Sequence, residues 1–415
     1  METTTRKHIV MFLGNNPYPH DTRVHPEALA LVKAGFEVSV ISPKAQGQPF
    51  IEELEGVKAY RYPAPPELES VFGYFLEYAI SFIGTFIYTL YILFRHGFDV
   101  MHAHNPPDIF VLIGMLFKPF KKRYVFDHHD LSVDLYSARS DGNGNPAIMS
   151  ILNWFEKRTC QTADMIITTN GSYKRLNIER HQVAEEKIKI VRNGANLNRL
   201  KIVEKHPDLA KMDKTILGFV GGMGKQDGVE YLIKAIDYLR HNLKRTDFYC
   251  VLVGGGGEFD TLQQMVVDHN LCEFVEFVGV LDGFDLNQYY SSMDICIDPD
   301  PTNSFNNHST MIKMMEYMAF GKPIVAFDLH EHRVSAEDAA MYIPDNDWAE
   351  MAKAITHLID HPELQKEMGE YGRNRVLNSL TWEHSGLKLI EAYQYLFPHV
   401  PMSVSFSNKM ADQSV

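Results

Sequence analysis

Short apolar runs recur along the chain, each closed by a polar or glycine-bearing turn and followed by a stretch with helical spacing. The first run, Ile9–Leu13, is followed by the loop GNNPYPHDTR, a helical pattern over Val24–Lys33 closed by Gly35, and a second strand pattern at Glu37–Ile41. That order predicts a βαβ unit. Further strands are predicted at Val100–Ala103, Tyr124–Asp127, Met165–Thr169 and Ile188–Val191, with a helical pattern over Ala147–Gln161 between two of them. A second series runs through Thr215–Val220, Phe248–Val253, Phe274–Val278, Ile295–Ile297 and Ile324–Phe327. Strand and helix alternate in both series, so the expected class is α/β, with two Rossmann-like domains built on parallel sheets that face a central cleft. The polar segment Asn198–Lys214 sets the expected boundary, giving domains over 1–205 and 206–381. A last helical pattern near 382–400 could cross back to the first domain, and the segment 402–415 reads as a disordered tail.

One segment breaks the alternation. Tyr78–Phe94 is an uncharged run of 17 residues between Glu77 and Arg95, rich in Tyr and Phe. A spanning helix needs about 20 residues, so a membrane span, a buried helix and a helix partly exposed to membrane or lipid acceptor all stay open. The opening METTTRK leads into a strand, not an apolar leader, so no signal peptide is expected.

Length and charge refine this picture. With 415 residues the chain suits two domains. Residues 1–205 carry 24 Lys and Arg against 22 Asp and Glu, whereas residues 206–415 carry 16 against 31. The acidic second half argues against a nucleic-acid partner, and Lys118, Lys121, Lys122 and Arg123 in the first half form either a solvated turn or a contact for anionic lipid. The four cysteines have no paired or metal-like spacing, which fits a reducing cytosol.

Candidate chemistry concentrates at Asn306–Pro323, NNHSTMIKMMEYMAFGKP. With Ser309 as N-cap and a helix from Thr310, Ser309, Lys313 and Glu316 share one face, opposite Met311, Met314, Met315 and Met318. Backbone amides at such a helix start suit a phosphate, and a carboxylate two turns on suits a sugar hydroxyl. The other reading is an ordinary amphipathic helix. Glycine turns follow two second-half strands, VGGMG with Gly221 and Gly222, and VGGGGE with Gly254 and Gly255, where backbone could approach a phosphate closely. Neither has dinucleotide-fingerprint spacing. In the first half, histidines gather in HAHNPPD and FDHHD, and strand alternation points His128 and His129 to opposite faces. His102, His104, Asp127, His128 and Asp130 are chemically competent metal ligands, but the first strand supplies no aspartate-rich motif to go with them, and no metal is expected. Asp298-Pro-Asp300 reads as turn chemistry. Arg23 and Arg192 could bind an anionic acceptor or a leaving diphosphate, or serve as structural ion-pair partners.

The helix at Thr310–Ala319, the paired glycine turns and the VRNGA segment resemble glycosyltransferase family 4, whose donor-site motif frames this helix with two Glu eight residues apart. Glu316, Gly321 and Pro323 match that motif, while His308 stands at the first Glu. Gly222 and Asp227 stand where the family has an Arg and a Lys, with Lys225 between them. The resemblance implies the GT-B fold and a retaining, metal-independent hexosyltransferase with no cofactor, which uses a UDP- or GDP-linked sugar. It implies that Glu316 holds the ribose, Ser309 and Thr310 the diphosphate, Val280 the base, and His129 the sugar. With the family's Arg and Lys missing, Lys225 is expected to replace them as the cation for the diphosphate, with Lys313 as a secondary contributor. Asp227 is then expected to face away. The expected acceptor is a saccharide, and the aromatic run and basic cluster make a lipid-linked one the expectation. That places the protein in the cytoplasm at the inner face of the cell membrane, in polysaccharide or surface-antigen assembly. A nucleotide-sugar epimerase and a non-catalytic binding subunit are the alternatives.

Overall fold

The computed structural model describes residues 6–66, 71–140, 142–344, 346–400 and 402. The chain forms two compact units, one made of Met1–Val133, Asn145–Arg192 and Glu383–Val415, the other of Asp134–Gly144 and Asn193–Trp382. The break falls at Arg192/Asn193 and not at 205/206. The reason is hydrogen bonding: Ala195 pairs with Thr381, Val203 N–H donates to Ser291 Oγ at 3.1 Å, and His206 N–H donates to Ser292 Oγ at 2.7 Å. These partners all belong to the second unit, so the polar segment is one of its edges and not a linker. The tail proposed at 402–415 lies, apart from Met402, outside the described residues.

The first unit holds an eight-stranded sheet built from β1 (His8–Phe12), β2 (Glu37–Pro43), β3 (Ile51–Leu54), β4 (Val57–Tyr62), β5 (Val100–His104), β6 (Arg123–His128), β7 (Met165–Thr168) and β8 (Ile188–Ile190), in the order β3-β4-β2-β1-β5-β6-β7-β8. It is parallel except for the β3–β4 hairpin, which corrects the wholly parallel expectation. The hairpin turns at Glu55-Gly56, both with positive φ, and its polar edge strand IEEL is why the alternation pattern missed it. Apolar side chains cover both sheet faces. On one, Leu389, Ile390 and Tyr393 from the helix Trp382–Leu396 complete the core with Ile9, Met11, Leu31 and Val38.

On the other face lies the helix Val71–Arg95. Its polarity is inverted. Ser81, Thr85 and Thr89 are buried, and Ser81 Oγ donates to Gly14 O at 3.2 Å, while Ile83, Ile87, Tyr91 and Phe94 are exposed, Phe94 by 85%. Gly84 is required on the inner face, because a Cβ there would stand 2.4 Å from the Tyr62 ring. By length and composition the segment Phe75–Arg95 could cross a membrane, yet it also contributes Ile80, Phe82, Phe86 and Ile92 to the core of its unit. On the neighbouring helix Val111–Phe117, Leu112, Met115 and Leu116 are exposed too.

The second unit holds β9 (Thr215–Gly222), β10 (Phe248–Gly255), β11 (Val275–Gly279), β12 (Ile295–Asp298), β13 (Ile324–Phe327) and β14 (Ala340–Ile343) in the order β11-β10-β9-β12-β13-β14, all parallel. Strand order reverses between β9 and β12, and in doubly wound sheets the crevice at such a reversal is where ligands bind.

Candidate functional site

At that reversal β9 and β12 pair only through Leu217–Gly218 and Ile295–Cys296, then diverge. Tyr317 occupies the opening. Its hydroxyl oxygen accepts from Val220 N–H at 2.9 Å and lies 3.4 Å from the Ile297 carbonyl oxygen, so the backbone freed by the divergence stays satisfied. Tyr317 comes from the helix Ile312–Ala319, whose core face of Met314, Met315 and Met318 is fully buried, as the methionine spacing predicts.

The helix start differs from expectation. Asn303, not Ser309, is a capping residue: its side chain accepts from Asn306 N–H at 2.8 Å and opens a short helix Ser304–His308. Ser309 follows that short helix and donates to Phe305 O at 2.8 Å, and the longer helix begins after Met311 with no side-chain cap. Thr310 is buried with its hydroxyl 3.3 Å from Glu331 Oε2, and the His308 ring lies 2.7 Å from the Ser304 carbonyl oxygen. Two helices replace one because Asn303 captures the first amides before Ser309 can.

Lys313 and Glu316 are one turn apart but do not pair. The Lys313 ammonium is buried 3.2 Å from Asp298 Oδ1 and 2.5 Å from Asp300 Oδ1, and lies over the Phe219 ring. This corrects both its assignment to the diphosphate and the reading of Asp298-Pro-Asp300 as turn chemistry. Glu316 is buried as well. Its Oε2 accepts from the Tyr290 hydroxyl at 2.5 Å, and its Oε1 is bound by the guanidinium of Arg199.

The glycine turns have a packing cause. Gly254 has φ +137° and a Cβ on it would stand 1.9 Å from Gly221 O, so the ends of β9 and β10 close on each other only with glycine there. Asp227 turns back into its own loop, with Oδ2 accepting from Gly224 N–H and Gln226 Nε2, each at 2.9 Å. That oxygen lies 3.1 Å from where a Cβ on Gly222 would be. The two departures from the family pattern are therefore neighbours in space, and a side chain at 222 would need the Asp227 carboxylate to shift slightly. Lys225 opens this turn and is exposed. Asn306 ties the turn to the neighbouring loop by donating to Gln226 O at 2.9 Å and Pro301 O at 2.8 Å. Val280, 82% exposed, reaches 3.4 Å from a Cβ position on Gly255.

In the first unit the expected cations and histidines meet a buried network. Arg23 is not available to an acceptor: its guanidinium binds Asp127 at 2.9 Å, approaches Glu27 at 3.4 Å and reaches Val191 O at 3.3 Å. Arg192 is half-buried. His129 follows β6 with Nδ1 3.2 Å from Asp127 Oδ1, whereas the buried His128 ring sits beside Asn177, Phe126 and Tyr173. Burial works against a charged His129, but the Asp127 carboxylate outweighs it and raises the pKa. Burial pushes His128 down to about 4.

Among the described residues, two groups of histidines and carboxylates have ligand atoms within 4.8 Å of one another: Glu27, His102, His104 and Asp127 in the first unit, Asp298, Asp300 and His332 in the second. Each already contains a cation from the chain, Arg23 or Lys313. Burial alone would raise all four carboxyl pKa values. Arg23 nevertheless holds Asp127 well below the usual range, and Lys313 holds Asp298 below it, whereas Glu27 and Asp300, buried beside a second carboxylate, are raised well above it. In each cluster the cation thus favours the charged form of one carboxylate, while burial beside that carboxylate favours the neutral form of the other. Sequence reasoning passed over Glu27, Arg199 and Tyr290. Glu27 gave a usable signal, as an acid four residues after Arg23 within an otherwise apolar helical face.

Comparison with known proteins adds to this geometry. The family described as Glycosyltransferase Family 4 matches residues 22–199, and that described as Glycosyl transferases group 1 matches residues 202–375. An uncharacterized glycosyltransferase of Methanocaldococcus jannaschii is 25% identical over 394 residues, 89% of this chain and 93% of that protein. Sucrose-phosphate synthase from Thermosynechococcus elongatus superposes with a TM-score of 0.79 at 21% identity, over 95% of this chain and 100% of that one. Anabaena HepE, solved in complex with UDP and glucose, superposes with a TM-score of 0.68 at 15% identity, over 93% of this chain and 99% of that one.

Proposed function

Since this chain is a glycosyltransferase of family 4 with the GT-B fold, we propose that it moves a hexose from a UDP- or GDP-linked donor to a saccharide, with retention of configuration and without a metal. Glu316 carries this reading. It is a buried carboxylate on the helix that lines the strand-order reversal, held by Tyr290 and able to accept from ribose hydroxyls. HepE, which shares the fold, was solved in complex with UDP and glucose, which supports a nucleotide-linked donor. Lys225 is the cation proposed for the diphosphate, because Lys313 is committed to Asp298 and Asp300. His129 is proposed to orient the sugar. Its Nδ1 is engaged by Asp127, which directs Nε2 toward a ligand.

A lipid-linked acceptor at the inner face of the cell membrane fits the inverted helix Val71–Arg95. Buried Ser and Thr with exposed Ile, Tyr and Phe is the polarity of a surface that meets apolar material outside the protein. Polysaccharide or surface-antigen assembly is the proposed setting.

The test is a thermal-shift screen of nucleotide sugars, since ligand binding to the native state raises stability by RT ln(1 + [L]/Kd). A hydrogen bond to a carboxylate is worth about 1.5–3 kcal/mol, so Glu316→Gln should bind the selected donor roughly tenfold or more weakly while folding normally. Unchanged calorimetric affinity in folded Glu316→Gln would remove the ribose role. A donor sugar altered with no acceptor present would select an epimerase, and binding without turnover a non-catalytic subunit.

A further inference from the structure

Arg199 belongs to the polar segment Asn198–Lys214, yet its backbone is firmly placed. Asn196 O accepts from Arg199 N–H at 3.0 Å and from Leu200 N–H at 2.9 Å. Asn196 Oδ1 accepts from Asn198 N–H at 3.0 Å, Asn287 Nδ2 donates to Arg199 O at 3.0 Å, and Leu200 is buried in the core. From this fixed turn the side chain reaches Glu316. The Arg199 side chain keeps 35% of its surface exposed and that of Glu316 only 9%, so the guanidinium forms the outer rim of the carboxylate's recess.

We propose that Arg199 is a donor-binding residue that reads the ribose hydroxyls jointly with Glu316, and so selects ribonucleotides over 2′-deoxyribonucleotides. The inference rests on Glu316 holding the ribose. A carboxylate offers about four acceptor positions, and Tyr290 and Arg199 occupy one on each oxygen. Each oxygen can still accept from one hydroxyl, which suits a cis-diol. Guanidinium has five N–H donors in a fixed fork, and among the described residues the Arg199 side chain bonds only through Nη2 to Glu316. A hydroxyl both donates and accepts, whereas a carboxylate only accepts and a guanidinium only donates. Side by side, the two satisfy both capacities of one hydroxyl. A nucleotide lacking the 2′-hydroxyl would leave that donor and acceptor facing each other across a gap, which is how sites built to bond a hydroxyl reject its absence. A simple exposed ion pair would have no such consequence, since such pairs contribute little and respond equally to either nucleotide.

The experiment measures calorimetric affinities of UDP and GDP, and then of the 2′-deoxy form of whichever binds, on the wild type, Arg199→Ala and Arg199→Gln, with urea midpoints confirming that the variants fold. The wild type should prefer the ribonucleotide by at least about tenfold. Both variants should bind the ribonucleotide about tenfold more weakly while their affinity for the deoxynucleotide changes less than about twofold. Retained discrimination in both folded variants, or ribonucleotide affinity equal to or above that of the wild type, would show that Arg199 only covers Glu316 and would overturn the proposal. Failure of the wild type to bind either diphosphate would instead remove the ribose role of Glu316, and the present inference with it.

Discussion

Lys313 has given up water for two carboxylates and the face of Phe219, and its pKa is raised because Asp298 and Asp300 outweigh the cost of burial. Replacing it by Met keeps the bulk and strands the acids. Breaking a buried pair costs about 3–5 kcal/mol, so Lys313→Met should lower the urea midpoint sharply, with any loss of donor affinity following from that. A normal midpoint with weakened donor binding would restore Lys313 to the phosphate. A second buried acid acts through pH. Burial, reinforced by Glu156, pushes Asp108 up to about 7, and Ser132 Oγ donates to it at 2.5 Å. Its folded pKa lies above the unfolded value of about 3.9, so the folded state holds the extra proton between the two, and stability falls as pH rises through that window, by up to about 1.4 kcal/mol per unit. Asp108→Asn should therefore gain stability relative to the wild type as pH goes from 5 to 7.5; parallel urea-stability profiles for the two proteins would contradict this. At this scale the sequence announced which residues were unusual, since a Lys and a Glu interrupt a methionine-rich helix. It did not announce their partners, because Asp298, Asp300, Arg199 and Tyr290 reach them only through the folded sheet.

Among elements, the helix Val71–Arg95 is the one whose surface does not fit its surroundings. Ile83, Ile87, Tyr91 and Phe94 recur at intervals of four, four and three, so they form a single outward stripe. Ile87→Glu with Phe94→Glu should leave the urea midpoint within about 0.5 kcal/mol of the wild type, as exposed positions do, and abolish binding to anionic liposomes in a co-sedimentation assay. Wild-type binding should weaken with salt in proportion to its electrostatic part. Protein that resists carbonate extraction from membranes would instead mark this helix as a span. Hydropathy found this segment but could not orient it, because Gly84 against Tyr62 decides which face turns inward and that contact is distant in sequence. The strands in both series were legible for the same reason in reverse: buried on both faces, they read as continuous apolar runs. The edge strands β3 and β14, of four residues each, were not, and in β4 Lys58 and Arg61 interrupt the apolar run.

In the whole molecule, each unit repeats one plan, a doubly wound sheet with a buried cluster of two carboxylates and a chain-borne cation, joined by two histidines in the first unit and one in the second. The alternation of strands and helices made this plan legible, while the boundary was displaced because polarity alone does not separate a linker from an edge that hydrogen-bonds to its own unit. The first unit is also discontinuous. Leu389, Ile390 and Tyr393 close its core, and the Tyr393 hydroxyl lies 3.0 Å from His102 Nδ1. A chain ended after Trp382 should keep the second unit's cooperative unfolding and lose that of the first, measured as one calorimetric transition in place of two, or as rapid proteolysis confined to residues 1–133 and 145–192. The arrangement also orders events in time. A ribosome adds roughly 5–20 residues per second and domains ordinarily fold in the order they emerge. Here the half that is made first has a core open on one side until the last helix leaves the exit tunnel, so the later half is the first that can finish. During that interval Ile9, Leu31 and Val38 of the nascent first half lack the cover that Leu389, Ile390 and Tyr393 later provide.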